Sequence, residues 1–328
     1  MSKKTISVGL DIGSSKVAVC IGTISDGNID ILGLGKSVCN GVRKGVVVDV
    51  EETVTAISTA LEEAERMCDC PIENVIVGID GSHIESTVSR GVIAVSKSDG
   101  EISETDAIRV IEAAQAVPNQ PNREILHVIP RTFTVDGQAG ISDPTGMSGI
   151  RLEVDTSVIS GSLSAIKNVN RCATQAGLAV SDMVFSPLAT AKIMLNKQQK
   201  EIGVILIDIG AGTTSYTVFE EGELIHSGVL PIGSSHITND IAIGLRTNIN
   251  LAELIKIKYG YASPEKIDEK EEINLSSFDK NDSGTANLKY VAEIIEARLN
   301  EIFVLIRDEL RSINREGMLP AGVVLTGG

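Results

Sequence analysis

The sequence predicts an α/β protein of two lobes, each built on a mixed sheet flanked by helices, with a compact α+β module inserted into the first lobe. Three observations predict it. A strand–turn–strand unit recurs in both halves of the chain, helical patterns alternate with short apolar runs, and the texture between about residues 84 and 161 differs from the rest. Composition agrees: 42% of the 328 residues are hydrophobic but only 3% aromatic, with no Trp, so the core is aliphatic. Such cores belong to buried sheets covered by helices.

The first lobe opens on apolar β runs at residues 5–10 and 17–24, which flank the turn Asp11-Ile-Gly-Ser-Ser-Lys16. A third strand, Ile29 to Lys36, follows the turn signal Asp26-Gly-Asn28 and completes a meander. Val54, Ile57, Leu61 and Ala64 then recur at helical spacing and predict a helix from Val50 to Cys68. Val75 to Ile79 is a short buried strand. In the module, strands at 84–89, 91–96, 125–135 and 150–159 surround one helix, Glu104–Ala116, with Ser103 or Thr105 as its cap and Pro118 past its end. A helix over 162–177 stops at Gly177 before the strand Leu178–Phe185.

The second lobe starts with a helix near Pro187–Asn196 and the strand Gly203–Asp208. The strands Ser215–Phe219 and Leu224–Leu230 follow, joined by a hairpin turn at Glu221-Gly-Glu223. Helices come at His236–Arg246, Leu251–Tyr259 and 287–315, with a polar loop over 263–285. The chain ends on an apolar strand running into Gly327-Gly328. A strand that delivers a glycine turn to nothing reads as a C-terminal truncation. The domain division expected is 1–83 and 84–161 in the first lobe, 162–232 with 316–328 as the second-lobe core, and 233–315 as its outer subdomain.

The chemistry lies in the repeat. Val8-Gly-Leu-Asp11-Ile-Gly13-Ser14-Ser15-Lys16 aligns with Ile205-Leu-Ile-Asp208-Ile-Gly210-Ala-Gly212-Thr213-Thr214. Each is a buried strand, an Asp, an apolar residue, a Gly, then small hydroxylated residues. Glycine is needed where φ is positive or where a ligand approaches the backbone. The small residues leave N–H groups and hydroxyls for one anionic acceptor. Asp11 and Asp208 suit Mg²⁺ held through water, because Mg²⁺ keeps much of its hydration shell.

These turns, with Leu325-Thr-Gly-Gly328, resemble the phosphate-1, phosphate-2 and adenosine motifs of the actin/hexokinase/heat-shock-chaperone superfamily. Ala252-Glu253-x-x-Lys256 resembles the helix whose Glu and Lys flank adenine and ribose there. The resemblance implies an actin-like fold that binds ATP and Mg²⁺ through Asp11, Gly13, Ser14, Ser15, Lys16, Asp208, Gly210, Gly212, Thr213, Thr214, Gly233, Glu253, Lys256, Gly327 and Gly328. Within the superfamily, Arg123–Gly137, Asp143–Glu153 and Gly233–Ala242 resemble the bacterial cell-division family FtsA. The module resembles that family's own subdomain.

FtsA resemblance implies ATP-dependent polymerisation and contacts with other division proteins. It also implies tethering of the tubulin-like division protein FtsZ to the cytoplasmic face of the inner membrane at the division site. The membrane anchor is expected as an amphipathic helix beyond Gly328. The FtsZ C-terminal tail is expected on the 233–315 subdomain, where Arg298 matches a family position beside the groove and is suited to an acidic peptide.

Hydrolysis needs a group that positions water in line with the γ-phosphate. The chaperone relatives carry an acidic residue before Pro at the start of the second lobe; this chain has Ser186-Pro187, which is no base at neutral pH. Slow turnover or none is therefore expected, with ATP as an assembly ligand. A sugar or acetate kinase of the same superfamily would require an acidic base that is not evident. A PilM-like adaptor of pilus assembly carries a similar insertion and is separated by partner peptide.

A net charge of −15 argues against a nucleic-acid partner. The five cysteines and four histidines show no disulfide framework, and Cys68-Asp-Cys70 has no second pair to complete a metal site, so the thiols are expected to be reduced and idle.

Overall fold

The computed structural model describes residues 5–25, 28–96, 100–115, 121–278 and 284–328. The chain divides into two compact units. The first comprises Met1–Asp208, Ser215–Val229 and Leu319–Thr326; the second comprises Ile209–Thr214, Leu230–Met318 and Gly327–Gly328.

In the first unit, β1 (Thr5–Ile12), β2 (Lys16–Ser25) and β3 (Asn28–Val38) form the expected antiparallel meander. Its Asp26-Gly27 turn lies outside the described residues. A small hairpin, β4 (Val42–Arg43) with β5 (Val46–Val47), leads into α1 (Val50–Cys68). Asp49 caps that helix by accepting the Glu52 N–H at 3.1 Å, and Asp69 ends it in the left-handed conformation. β6 (Asn74–Ile79) runs parallel to β1.

The helix lies unusually close to the sheet because β3 has no side chain at two positions. A Cβ on Gly35 would come within 1.8 Å of the Ala60 carbonyl, and one on Gly33 within 2.5 Å of that of Ala64. Glycine opposite alanine is what permits this approach. Ala56, Ile57, Ala60, Leu61 and Ala64 supply the buried face.

The inserted module carries β7 (Glu85–Ala94), α2 (Glu104–Gln115), β8 (Arg123–Val135), β9 (Gln138–Ile141) and β10 (Arg151–Ser162), in the sheet order β7-β10-β8-β9. Two strands were expected at 84–89 and 91–96, but β7 runs through Arg90-Gly91 without a break. Gly91 is a packing glycine: a Cβ there would stand 2.1 Å from the Val110 carbonyl of α2. Ser103 caps α2, its Oγ accepting the Asp106 N–H. Ala116 and Pro118 lie outside the described residues.

α3 (Leu163–Gln175) stops at Gly177 with φ 87°, as its sequence requires. β11 (Ala179–Phe185) completes the sheet β11-β6-β1-β2-β3. The helix expected at 187–196 is α4 (Ser186–Met194), and a further short helix, α5 (Lys197–Ile202), follows it. The second is started by a reciprocal cap between Asn196 and Gln199. β12 (Val204–Ile209), β13 (Thr214–Glu220) and β14 (Glu223–Leu230) follow.

The second unit is helical. α6 (Ser234–Leu245), α7 (Ile249–Tyr259) and α8 (Leu288–Ser312) enclose Ile237, Ile241, Leu251, Ile255, Val291 and Ile295. The polar segment before α8 contains two 3-10 turns and the hairpin of β15 (Glu272–Asn274) with β16 (Thr285–Asn287). β17 (Val323–Gly327) takes its place in the sheet order β14-β13-β12-β17. Among the described residues no helix is long and apolar enough to cross a membrane.

Candidate functional site

The two repeated turns are closed in the same way. The Gly13 N–H donates to the Lys16 carbonyl at 2.9 Å, and the Gly210 N–H donates to the Thr213 carbonyl at 2.9 Å. Neither glycine has a positive φ. Their role is close approach instead, since a Cβ would meet those same carbonyls at 3.0 and 3.1 Å. The Ser14 hydroxyl accepts the Gly45 N–H, and the Ser15 carbonyl accepts that of Cys39, which ties the first turn to the chain before α1.

Three carboxylates gather in the first unit. Asp11 stands at the end of β1, Asp208 near the end of β12, and Asp80 just past β6. The surrounding protein desolvates Asp11 even though the residue reaches solvent; this raises its carboxyl, Asp208 repels it further, and Lys16 and Ser186 pull it back. Burial raises Asp208 as well, against Lys16. Burial pushes Asp80 up to about 6, with Asp208 and Asp11 adding to the rise and the Gly81 N–H and Ser215 opposing it. Asp80 was not among the expected residues. Ile79-Asp80-Gly81 lacks the apolar residue that separates Asp from Gly in the two repeated turns, so alignment with them does not find it.

Ser186, at the start of α4, has a buried hydroxyl with no hydrogen bond of normal geometry. It sits beside Asp11, for a Cβ on Gly78 would lie 2.7 Å from Ser186 Oγ and 3.2 Å from Asp11 Oδ1. The backbone there is anchored by His127, whose Nε2 accepts the Phe185 N–H at 2.9 Å. Asp208 repels the Asp11 carboxylate and both repel that of Asp80, a crowding that a divalent cation held through water would relieve. Among the described residues, no three His, Cys, Asp or Glu groups are placed to ligate a metal directly.

In the second unit the turn and α6 share their backbone groups. The Ser234 N–H donates to the Gly210 carbonyl at 2.8 Å and the Ser235 N–H to that of Ala211 at 2.9 Å. Gly233 makes this possible, because a Cβ there would be 2.5 Å from the Gly210 carbonyl and 2.7 Å from that of Ala211. Thr214 is tied down by its hydroxyl, which donates to the Ile232 carbonyl. Gly327 and Gly328 join the same turn. A Cβ on Gly327 would come within 2.3 Å of the Ile209 carbonyl, which also accepts the Gly328 N–H. Glu253 and Lys256 pair at 2.8 Å on α7, and both engage the Thr238 hydroxyl of α6.

Arg298 on α8 grips Asp240 of α6 with two nitrogens, at 2.6 and 2.9 Å, and also meets Glu301. Ile243, Gly244, Tyr290, Ile294 and Ala297 continue the recess beside this ion pair.

Comparison with known proteins bears on these units. A family model described as "SHS2 domain inserted in FTSA" matches residues 81–160, and one described as "Cell division protein FtsA" matches residues 205–323. Cell division protein FtsA of Pseudomonas aeruginosa is 40% identical over 98% of this chain and 77% of its own length. That of Bacillus subtilis is 41% identical over 100% of this chain and 74% of its length. The chain belongs to the FtsA family. The FtsA relatives thus extend over both units, and the module of β7 to β10 is the SHS2 domain of that family.

The fold is also that of more distant solved structures. The structure described as "PilM-PilN type IV pilus biogenesis complex" matches with a TM-score of 0.68 and 16% identity, over 99% of this chain and 82% of that one. MreB5 of Spiroplasma citri bound to ADP matches at 0.54 and 12% identity, over 98% and 84%. At such identities the likeness shows the actin-like fold that this FtsA chain shares with them.

Proposed function

We propose that this chain is an ATP-binding, actin-like division protein in which the nucleotide acts as an assembly ligand. The observation that carries this reading is the matched closure of two turns, each by a glycine N–H on the carbonyl three residues on. Such turns leave neighbouring N–H groups and hydroxyls for phosphate oxygens. In this reading Gly13–Lys16 and Gly210–Thr214 bind the phosphates, Asp11, Asp80 and Asp208 orient a hydrated Mg²⁺, and Thr238, Glu253 and Lys256 with Gly327 and Gly328 hold the nucleoside. Bound Mg²⁺ supplies charge neutralisation at the phosphates.

Titration calorimetry with Mg-ATP tests it. Saturable binding to the intact chain, lost in Gly13→Val and in Gly210→Val variants that stay folded, supports the reading. Unchanged binding in both variants refutes it.

The FtsA relatives and the MreB-like fold support self-association into filaments and a place among the division proteins at the cytoplasmic face of the inner membrane. The FtsZ tail is assigned to the recess of α6 and α8. Because Asp240 and Glu301 already occupy the Arg298 fork, an acidic tail binds there by replacing a carboxylate, and its apolar residues lie against Ile243 and Tyr290. Anchoring to lipid is assigned to a segment after Gly328. The division into 1–83, 84–161, 162–232 with 316–328, and 233–315 is retained as the functional one. Turnover is slow in this reading, since Ser186 is no base and the raised carboxylates have the cation as their first task.

A further inference from the structure

We propose that Cys68 and Cys70 form a redox pair that closes to an intramolecular disulfide when oxidised by a neutral hydroperoxide. Cys68 is the last residue of α1; Asp69 follows with φ 52° and ψ 38°, and this left-handed residue turns the chain back so that Cys70 meets Cys68. Their sulfurs are 2.9 Å apart. A disulfide needs about 2.05 Å between sulfurs, so the pair is already inside ordinary van der Waals separation and short of a bond by less than an ångström. Both residues are half-buried and packed against the apolar core under α1.

A metal is a poorer occupant of this pair. Zinc at about 2.3 Å from each thiolate would push the sulfurs apart and would still need two more ligands. Among the described residues no third His, Cys, Asp or Glu is grouped with them for that purpose. The disulfide requires only the two sulfurs and an oxidant. Glu62, Glu65, Arg66, Asp69, Cys70 and Pro71 line an open recess at this point. Three acids against one base disfavour an anionic oxidant such as glutathione disulfide and leave a neutral peroxide favoured.

The two thiols are not equivalent. The contact with Cys68 holds the Cys70 thiol protonated, pushed up to about 11, with burial adding to the effect. Cys68 is therefore the sulfur assigned to attack first, reacting as any cysteine nucleophile does in its thiolate form. Its sulfur attacks one peroxide oxygen, the O–O bond breaks, and hydroxide or alkoxide leaves with the electron pair, giving a sulfenic acid. Cys70 sulfur then attacks Cys68 sulfur, and the S–O bond breaks. The departing hydroxide takes the Cys70 proton and leaves as water. Two thiols are oxidised by two electrons and one peroxide is reduced.

The test uses the full chain, reduced, treated with hydrogen peroxide and then alkylated with N-ethylmaleimide under denaturing conditions. Two of the five thiols should be lost, at least about tenfold faster than the solitary, half-buried Cys20, and dithiothreitol should restore both. The unalkylated protein should be lighter by two hydrogens, with the link mapped to Cys68–Cys70. In Cys70→Ser, checked for native melting, Cys68 should gain two oxygens instead, having lost its resolving partner. Loss at the rate of Cys20, a link to another cysteine, direct over-oxidation of Cys68 in the unaltered chain, or protection of both thiols by one equivalent of Zn²⁺ would each overturn the proposal.

Discussion

Replacing Asp80 by asparagine should make the protein more stable at neutral pH. Asp80 keeps its proton up to about pH 6 in the folded chain, whereas its ordinary value is 3.8. The sign follows from proton counting. Between these two values the native state binds more protons than the unfolded one, so stability falls as pH rises through that window and the loss is complete above it. The gap of about two units corresponds to about 3 kcal/mol at pH 7.5. With an unfolding entropy of about 2.1 cal/mol/K per residue, a chain of this length would shift by about 4 °C. Asparagine preserves the carbonyl that accepts the Gly81 N–H, so the charge alone is removed. Differential scanning calorimetry of both proteins from pH 4 to 8 reads the difference. Asp80→Asn should gain little at pH 4, and its advantage should grow through pH 4 to 6.5 and then level off. A variant melting at or below the parent at pH 7.5, or a difference flat with pH, would refute the reading of a carboxylate crowded by Asp11 and Asp208.

Gly233→Ala should weaken Mg-ATP binding at least about tenfold while the fold survives, because the new methyl must displace the carbonyls of Gly210 and Ala211; fluorescent-nucleotide titration reads it. Gly91→Ala should destabilise the module by about 3 kcal/mol, seen in a denaturant midpoint, since its Cβ meets the Val110 carbonyl. Arg298→Ala should cost stability by leaving Asp240 unpaired, and Arg298→Ala with Asp240→Ala together should recover much of it; a double-mutant cycle measures this. Lowering pH through the ordinary histidine range should leave the Phe185 N–H bond to His127 intact, because burial holds that imidazole neutral to lower pH; the Phe185 amide shift in NMR should therefore stay constant from pH 8 to 6.5.

The fold was readable where periodicity and caps agreed. Val50–Cys68 was placed by the helical spacing of Val54, Ile57, Leu61 and Ala64, and the structure adds Asp49 as its cap. It was misread where a glycine serves packing: Gly91 looks like a break in sequence, but its purpose appears only once α2 lies on it. The turn glycines were left open between a positive φ and close approach to the backbone, and close approach is what they serve, each against the carbonyl three residues on. The repeat marked Asp11 and Asp208, since it needs only alignment. Asp80 escaped because the carboxylates that raise it stand on β1 and β12, strands of two different sheets, so its perturbation exists only in the folded unit. Ser186 was noticed for what it lacks, whereas its place beside Asp11 required Gly78.

α6 joins two parts of the second unit that a sequence would treat separately. Its first two amide groups hold the carbonyls of the 210–214 turn, and Asp240, midway along it, holds Arg298. A helix of twelve residues is a stiff rod about 18 Å long. The turn and the wall of the recess are thus two ends of one rigid element. If the recess takes a peptide as proposed, substitutions at Ser234 or Gly233 should alter that docking, which a peptide-binding titration of the variants measures.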